Sequence, residues 1–185
     1  MVGGRNKRRV YMAYFHRNPT EKHPVPYHTA LYIAPKNPPP ASEGNSLLLH
    51  AVNPIDRTTN PPRQRWIFQS RDTQRTRLLR GVMLLGKLDN SLSNDDIINI
   101  VKQVYVPEGT ITESLTWRCR DWVYDAAGIL QDQNLVTSID NIWNKGYAFM
   151  QANTLDLEPD QPLPCCNTNG ETLVSEIGPM VMRAD

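Results

Sequence analysis

Short apolar runs, separated by polar segments rich in proline, dominate the first half of the chain. β-Branched, aromatic and aliphatic residues fill these runs, and Pro, Gly, Asn and Ser bound them, which is typical of strands. The predicted strands cover residues 10–15, 27–33, 47–52, 65–70 and 78–88. The connection 37–45 begins with prolines and ends with flexible residues, which suits a loop between antiparallel neighbours. We therefore expect the second and third strands to lie side by side.

Helical spacing replaces this pattern in the second half of the chain. Ser, Asn and two Asp at 93–96 indicate a helix N-terminus. Apolar residues at helical intervals after Cys119 predict a second helix that begins at this cysteine, and a third is expected over about 138–151. The sequence thus predicts an α+β fold, in which an antiparallel sheet of about five strands packs against two or three helices.

The length of 185 residues suits one hydrophobic core. We expect a basic N-terminal tail over 1–9 and a single α+β domain over 10–152. Residues 153–185 are rich in Pro, Asp, Asn, Thr and Gly without sustained periodicity, which predicts a polar C-terminal tail.

The charge balance narrows the classes of partner. Lys and Arg number 20 against 19 Asp and Glu, and a net charge of +1 provides no field that would attract nucleic acid. The apolar run at 10–15 is too short for a signal-peptide core or a membrane span. Three cysteines without a secretion signal favour a reducing compartment. We therefore expect a cytoplasmic protein without stable membrane insertion.

Three residues are candidates for chemistry. His28 and His50 each lie on a predicted strand, and Cys119 lies at a predicted helix start. A helix N-terminus and a nearby imidazole both favour the thiolate, which is the nucleophilic form of cysteine. Two alternatives remain: a buried structural cysteine, and a zinc site formed by these three side chains, although no short-range ligand pair supports the metal.

The motifs around these residues resemble a known fold. They are Tyr-His-Thr-Ala-Leu-Tyr-Ile at 27–33, Leu-Leu-Leu-His-Ala-Val at 47–52 and Arg-Cys-Arg-Asp-Trp-Val at 118–123. In this order they resemble the circularly permuted papain-like thiol fold of lecithin:retinol acyltransferase and the related small phospholipase/acyltransferases, over roughly residues 10 to 130. The Cys-x-Asp-Trp-Val helix also resembles a group of uncharacterised small fungal proteins, which implies no activity.

The acyltransferase resemblance implies catalytic roles for these three residues. It implies that His28 is the general base, that His50 orients it and that Cys119 is the nucleophile. The backbone N–H of Cys119 would help to hold an oxyanion.

The resemblance also implies a reaction. The expected function is hydrolysis or acyl transfer on a small-molecule or peptide substrate, namely a soluble amide, peptide or thioester, without a cofactor. A polar segment stands where the lipid-modifying members have a hydrophobic C-terminal anchor, so we expect a lipid bilayer to be a poor substrate. Trp117, Arg118 and Asp121 are candidate substrate contacts. The competing expectation is a binding or interaction protein that keeps the fold without turnover, favoured by Arg118 where the acyltransferases have Asn.

Overall fold

The structure is a computed structural model. It describes residues 7–21, 24–36, 46–73, 78–89, 91–107, 116–154 and 161–177. The expected loop over 37–45 lies outside the described residues.

Nine strands and three helices are present in the described residues. The strands are β1 (Arg8–His16), β2 (Tyr27–Ala34), β3 (Ser46–Val52), β4 (Ile55–Asp56), β5 (Arg63–Gln64), β6 (Ile67–Thr73), β7 (Leu79–Leu88), β8 (Cys165–Cys166) and β9 (Thr172–Leu173). The helices are α1 (Asn94–Val101), α2 (Cys119–Asp132) and α3 (Ile142–Asn153). The predicted α+β class is confirmed, with more strands than expected.

Seven of the strands form one sheet in the order β6-β3-β2-β1-β7-β8-β9, and β4 pairs with β5 separately. The pairs from β6 to β7 are antiparallel, whereas β7 and β8 run parallel, so the sheet is mixed. β2 and β3 are neighbours, with Leu31 opposite Leu49. This confirms the prediction that the two histidine-bearing strands lie side by side.

Both faces of the sheet are buried. Alternate residues such as Leu31 and Leu49 pack with Trp122 of α2 on what we call the helix face. The intervening residues, such as Tyr32, pack with Leu163 on what we call the opposite face. Because successive side chains of a strand point to opposite faces, neighbouring residues on β1, β2 and β3 lie on different faces of the sheet.

The segment 161–177 belongs to the domain. β8 pairs with β7, and Leu163 and Ile177 are buried on the opposite face. The guanidinium of Arg9, only 5% exposed, pairs with the carboxylate of Glu176. The expectation that 153–185 is a tail outside the domain is therefore wrong for 161–177, and the expected N-terminal tail ends earlier, since β1 begins at Arg8. Two-residue strands and isolated apolar residues carry too little periodicity to be recognised in a sequence.

Candidate functional site

Helix α2 begins at Cys119, as predicted. Arg118 before it has extended backbone angles (φ −141°, ψ 165°), and its N–H donates to a carboxylate oxygen of Asp121 at 2.6 Å. Asp121 thus accepts from a backbone N–H that precedes the helix, and its negative charge suits the positive end of the helix dipole. The buried positions of α2 recur at helical spacing: Cys119, Trp122, Val123, Ala126, Ala127 and Leu130.

The sulfur of Cys119 contacts a hydroxyl. Thr29 on β2 is fully buried, and its Oγ1 donates to Cys119 Sγ at 3.7 Å. Cys119 itself is 5% exposed and belongs to the core on the helix face. Thr29 therefore occupies the place beside the thiol where the sequence predicted an imidazole.

His28 lies on the opposite face of the sheet. It precedes Thr29 on β2, so its side chain points away from the helices. There its Nε2 is 2.9 Å from Nδ1 of His50, and its ring is 6.4 Å from that of Phe15, which is buried on the opposite face. The structure thus brings His28 and His50 together, as expected, but does not bring either to Cys119.

The two histidines form a neutral hydrogen-bonded chain with Gln69. His50 Nε2 is 3.1 Å from Gln69 Oε1. Because an amide oxygen only accepts, Nε2 of His50 carries the proton, and its Nδ1 accepts from Nε2–H of His28.

The pKa values of both imidazoles fall from 6.5 to about 4, and burial is the largest cause in each case. The charges of Arg17 and Arg71 contribute to the lowered pKa of His28. The charges of His28 and then of Arg71 contribute to that of His50, against the hydrogen bond to Gln69, which raises it. At pH 7 the hydrogen-bonded chain of His28, His50 and Gln69 is therefore uncharged.

A cavity of about 230 Å³ opens beside Cys119 at the start of α2. Three arginines contribute to its wall, and none of the described residues that line it is acidic. The lining residues are Arg17, Pro24, Val25, Tyr27, Thr29, Arg118, Cys119, Arg120 and Trp143. The unpaired backbone N–H groups of a helix N-terminus add partial positive charge on this side. The lining formed by the described residues is therefore positively charged, with apolar and aromatic walls.

Contacts hold the three arginines in place. Arg17 Nε donates to the carbonyl oxygen of Val25 at 2.9 Å, and Arg118 Nη1 donates to that of Trp117 at 2.8 Å. Cζ of Arg120 lies 5.1 Å from the ring centroid of Trp143, within the range of a cation–π interaction.

Of the three predicted substrate contacts, one lines the cavity and two do not. Arg118 lines the cavity, whereas Asp121 accepts from the Arg118 N–H and lies 3.7 Å from Nε of Arg120. Trp117 packs edge-on against Trp66, with ring centroids 4.9 Å apart, and is not among the residues that line the cavity.

Sequence reasoning missed Arg17, Thr29, Arg120 and Trp143 as parts of one site. The alternation along β2 was the available signal, because it separates Thr29 from His28. It was not decisive, since both faces of β2 carry apolar residues.

The zinc alternative finds no support in this geometry. His28 and His50 lie on one face of the sheet and Cys119 on the other, and the described part of the chain holds no group of three or more His, Cys, Asp or Glu side chains placed to bind a metal.

Within the described residues, no helix combines the length and apolar character needed to cross a membrane.

Comparison with known proteins gives one match. A family model described as a family of unknown function (DUF6914) matches residues 7–152, a range that includes His28, Thr29, Cys119 and Trp143. Neither the curated proteins nor the solved structures yielded a match.

Proposed function

The chain belongs to DUF6914, a family of unknown function, and we propose that its Cys119 cavity binds a small molecule with a negatively charged group. The observation that carries this proposal is that three arginine residues, Arg17, Arg118 and Arg120, line one cavity of about 230 Å³. Arginine offers several N–H donors in a planar fork that matches carboxylate and phosphate oxygens. The protein would act as a binding protein, the alternative to turnover that the sequence left open.

The size and walls of the cavity define the ligand further. About 230 Å³ is below the usual 300–1,000 Å³ of sites for drug-sized molecules, so the ligand, or the part of it held here, is small. Val25, Tyr27 and Trp143 provide apolar and aromatic contact for its uncharged part. A small aromatic or aliphatic carboxylate combines these features.

Matched neutral and charged ligands test the proposal. Titration calorimetry should detect binding of benzoate but not of benzamide, which has nearly the same shape and no charge. The double variant R17Q/R118Q should weaken benzoate binding by roughly a hundredfold or more, because each of the two charge-assisted hydrogen bonds contributes about 1.5–3 kcal/mol.

Arg63→Gln removes an arginine from the exposed strand β5 and serves as the control, with benzoate binding unchanged. Equal affinity for benzoate and benzamide would contradict the proposal, and so would an equal loss in the Arg63 variant.

Thiol-dependent acyl chemistry is the second candidate function. Its support is the position of Cys119 at the first residue of α2, where it lines the cavity and where backbone N–H groups can hold an oxyanion. Its difficulty is the general base, since His28 lies on the opposite face of the sheet.

Alkylation separates the two functions. Iodoacetamide at about pH 6 labels an activated thiol, whereas an ordinary thiol hardly reacts there. Labelling of Cys119 that falls in His28→Ala, in a variant that remains folded, would favour the catalytic function. Labelling that is slow and unaffected by His28→Ala would favour the binding function.

A further inference from the structure

Cys119 forms part of the wall of the proposed anion site. It lines the same cavity as the three arginines, so a ligand that binds there lies close to the residue that carries the thiol. The other two cysteines, Cys165 and Cys166, are buried in β8 and do not line this cavity. The chain therefore contains one thiol inside the positively charged cavity and two thiols elsewhere, which allows an internal comparison.

The surroundings of the sulfur favour chemistry that needs no proton transfer. The neighbour that contacts it is the Thr29 hydroxyl, which can donate a hydrogen bond to a negatively charged sulfur but is a poor base. Acyl transfer from an amide requires an acid to protonate the leaving amine. Thiol–disulfide exchange does not, because a thiolate attacks and a thiolate leaves.

We propose that Cys119 exchanges with small disulfides that carry carboxylates, a proposal that rests on the proposed anion site. The Cys119 thiolate attacks one sulfur of the disulfide and forms a new S–S bond. The original S–S bond breaks, and its electron pair leaves with the second sulfur as a free thiolate. Cys119 is oxidised, the departing half is reduced, and no other oxidant takes part. The carboxylate of the retained half pairs with Arg17 and Arg118, and Thr29 acts as a positioning residue for the sulfur.

Two small disulfides test this exchange. Dithiodiglycolate carries a carboxylate at each end, and bis(hydroxyethyl) disulfide is of similar size and neutral. Rates are measured on the full chain at about pH 8, near the ordinary thiol pKa of about 8.5, by mass spectrometry of the Cys119 peptide. Each rate is divided by the rate of the same disulfide with free mercaptoethanol, which removes the intrinsic reactivity of the reagent.

Cys119 should prefer the anionic disulfide by about tenfold, which is the effect expected from a partly screened charge pair. The preference should disappear in R17Q/R118Q, persist in R63Q and fall as salt rises. Cys165 and Cys166 should show no such preference, and burial also raises their pKa values to about 12, which disfavours the reactive thiolate.

A second measurement requires no variant: benzoate should protect Cys119 from dithiodiglycolate, and benzamide should not.

Two variants test the role of Thr29. Thr29→Val should slow the exchange at Cys119 and change the pH profile of the exchange rate. Thr29→Ser should restore both the rate and the pH profile, because serine keeps the hydroxyl donor.

The outcomes distinguish the two proposals. Binding of benzoate together with equal rates for the two disulfides would overturn the exchange proposal and leave the anion site intact. Absence of both benzoate binding and a charge preference would overturn both. A preference for the anionic disulfide at Cys165 or Cys166 as strong as at Cys119 would also overturn the exchange proposal, because it would then not arise in this cavity.

Discussion

Removing one imidazole from the buried pair should make the protein less sensitive to mild acid. His50→Gln suits this test because glutamine can replace both hydrogen bonds of the histidine. Its Oε1 can accept from Nε2–H of His28, and its amide N–H can donate to Gln69 Oε1. The variant therefore removes a titrating group and keeps the polar chain.

The magnitude follows from the lowered pKa. An unfolded histidine has a pKa of about 6.5, whereas that of His50 in the folded protein is about 4. A lowered pKa in the folded state means that the unfolded state binds more protons between these values. The stabilisation is therefore complete above about pH 6.5 and is lost as the pH falls toward 4. At pH 5 the unfolded imidazole is almost fully protonated and the folded one is about nine-tenths neutral, a difference worth about 2 kcal/mol of stability.

His28 adds a similar amount, because burial lowers its pKa in the folded protein to about 4 as well. From pH 7 to pH 5 we expect the native protein to lose about 2–4 kcal/mol of unfolding free energy and His50→Gln to lose about 2 kcal/mol less.

Urea unfolding at the two pH values, followed by tryptophan fluorescence, measures both losses. Equal losses in the native protein and in His50→Gln would refute the reasoning, since the buried imidazole would then not account for the acid sensitivity.

Three further changes test packing, capping and the C-terminal contact by urea unfolding. Gly86→Ala should lower the unfolding free energy by about 2 kcal/mol or more, because the new Cβ would lie 2.6 Å from the carbonyl oxygen of Leu135. Gly128→Ala in α2 is the control: the nearest atom to its new Cβ would be 3.8 Å away, so the change should be neutral or stabilising by up to about 1 kcal/mol. Equal effects of the two substitutions would contradict the geometry. Ser93→Ala should cost about 1 kcal/mol, because Ser93 Oγ accepts from the N–H of Asp96 at 3.1 Å; no loss would mean that this cap does not stabilise α1. Glu176→Gln should lower the unfolding free energy by about 2 kcal/mol, because it leaves buried Arg9 without its carboxylate. Lys36 pairs with the same carboxylate, but its side chain is 48% exposed, so Lys36→Gln should change stability by less than about 0.5 kcal/mol. Equal effects would refute a contribution from the buried pair.

Local patterns in the sequence identified most of the fold. The strands β1, β2, β3, β6 and β7 correspond to the apolar runs, and α2 begins at the predicted residue. These predictions succeed because strand runs and the buried positions of a helix depend on neighbouring residues in the chain. The same patterns missed β4, β5, β8 and β9, which consist of two residues each.

The candidate site was predictable only in part. Cys119 at the helix start and the proximity of His28 to His50 follow from the order of elements and from the pairing of β2 with β3. The catalytic roles assigned to these residues remain predictions. The expected contact between His28 and Cys119 required the imidazole to point to the helix face, and the structure places Thr29 there instead.

The sequence by itself determined which segments form the long strands and the helices and that a cysteine begins α2, because these features arise from local spacing and capping. Only the tertiary structure decided which face of β2 meets that helix. Both faces are apolar and buried, so alternation alone does not distinguish them. It also decided that Arg17, Arg118 and Trp143, which are far apart in the chain, surround one cavity. That convergence depends on how helices and strands pack, which is a property of the whole chain.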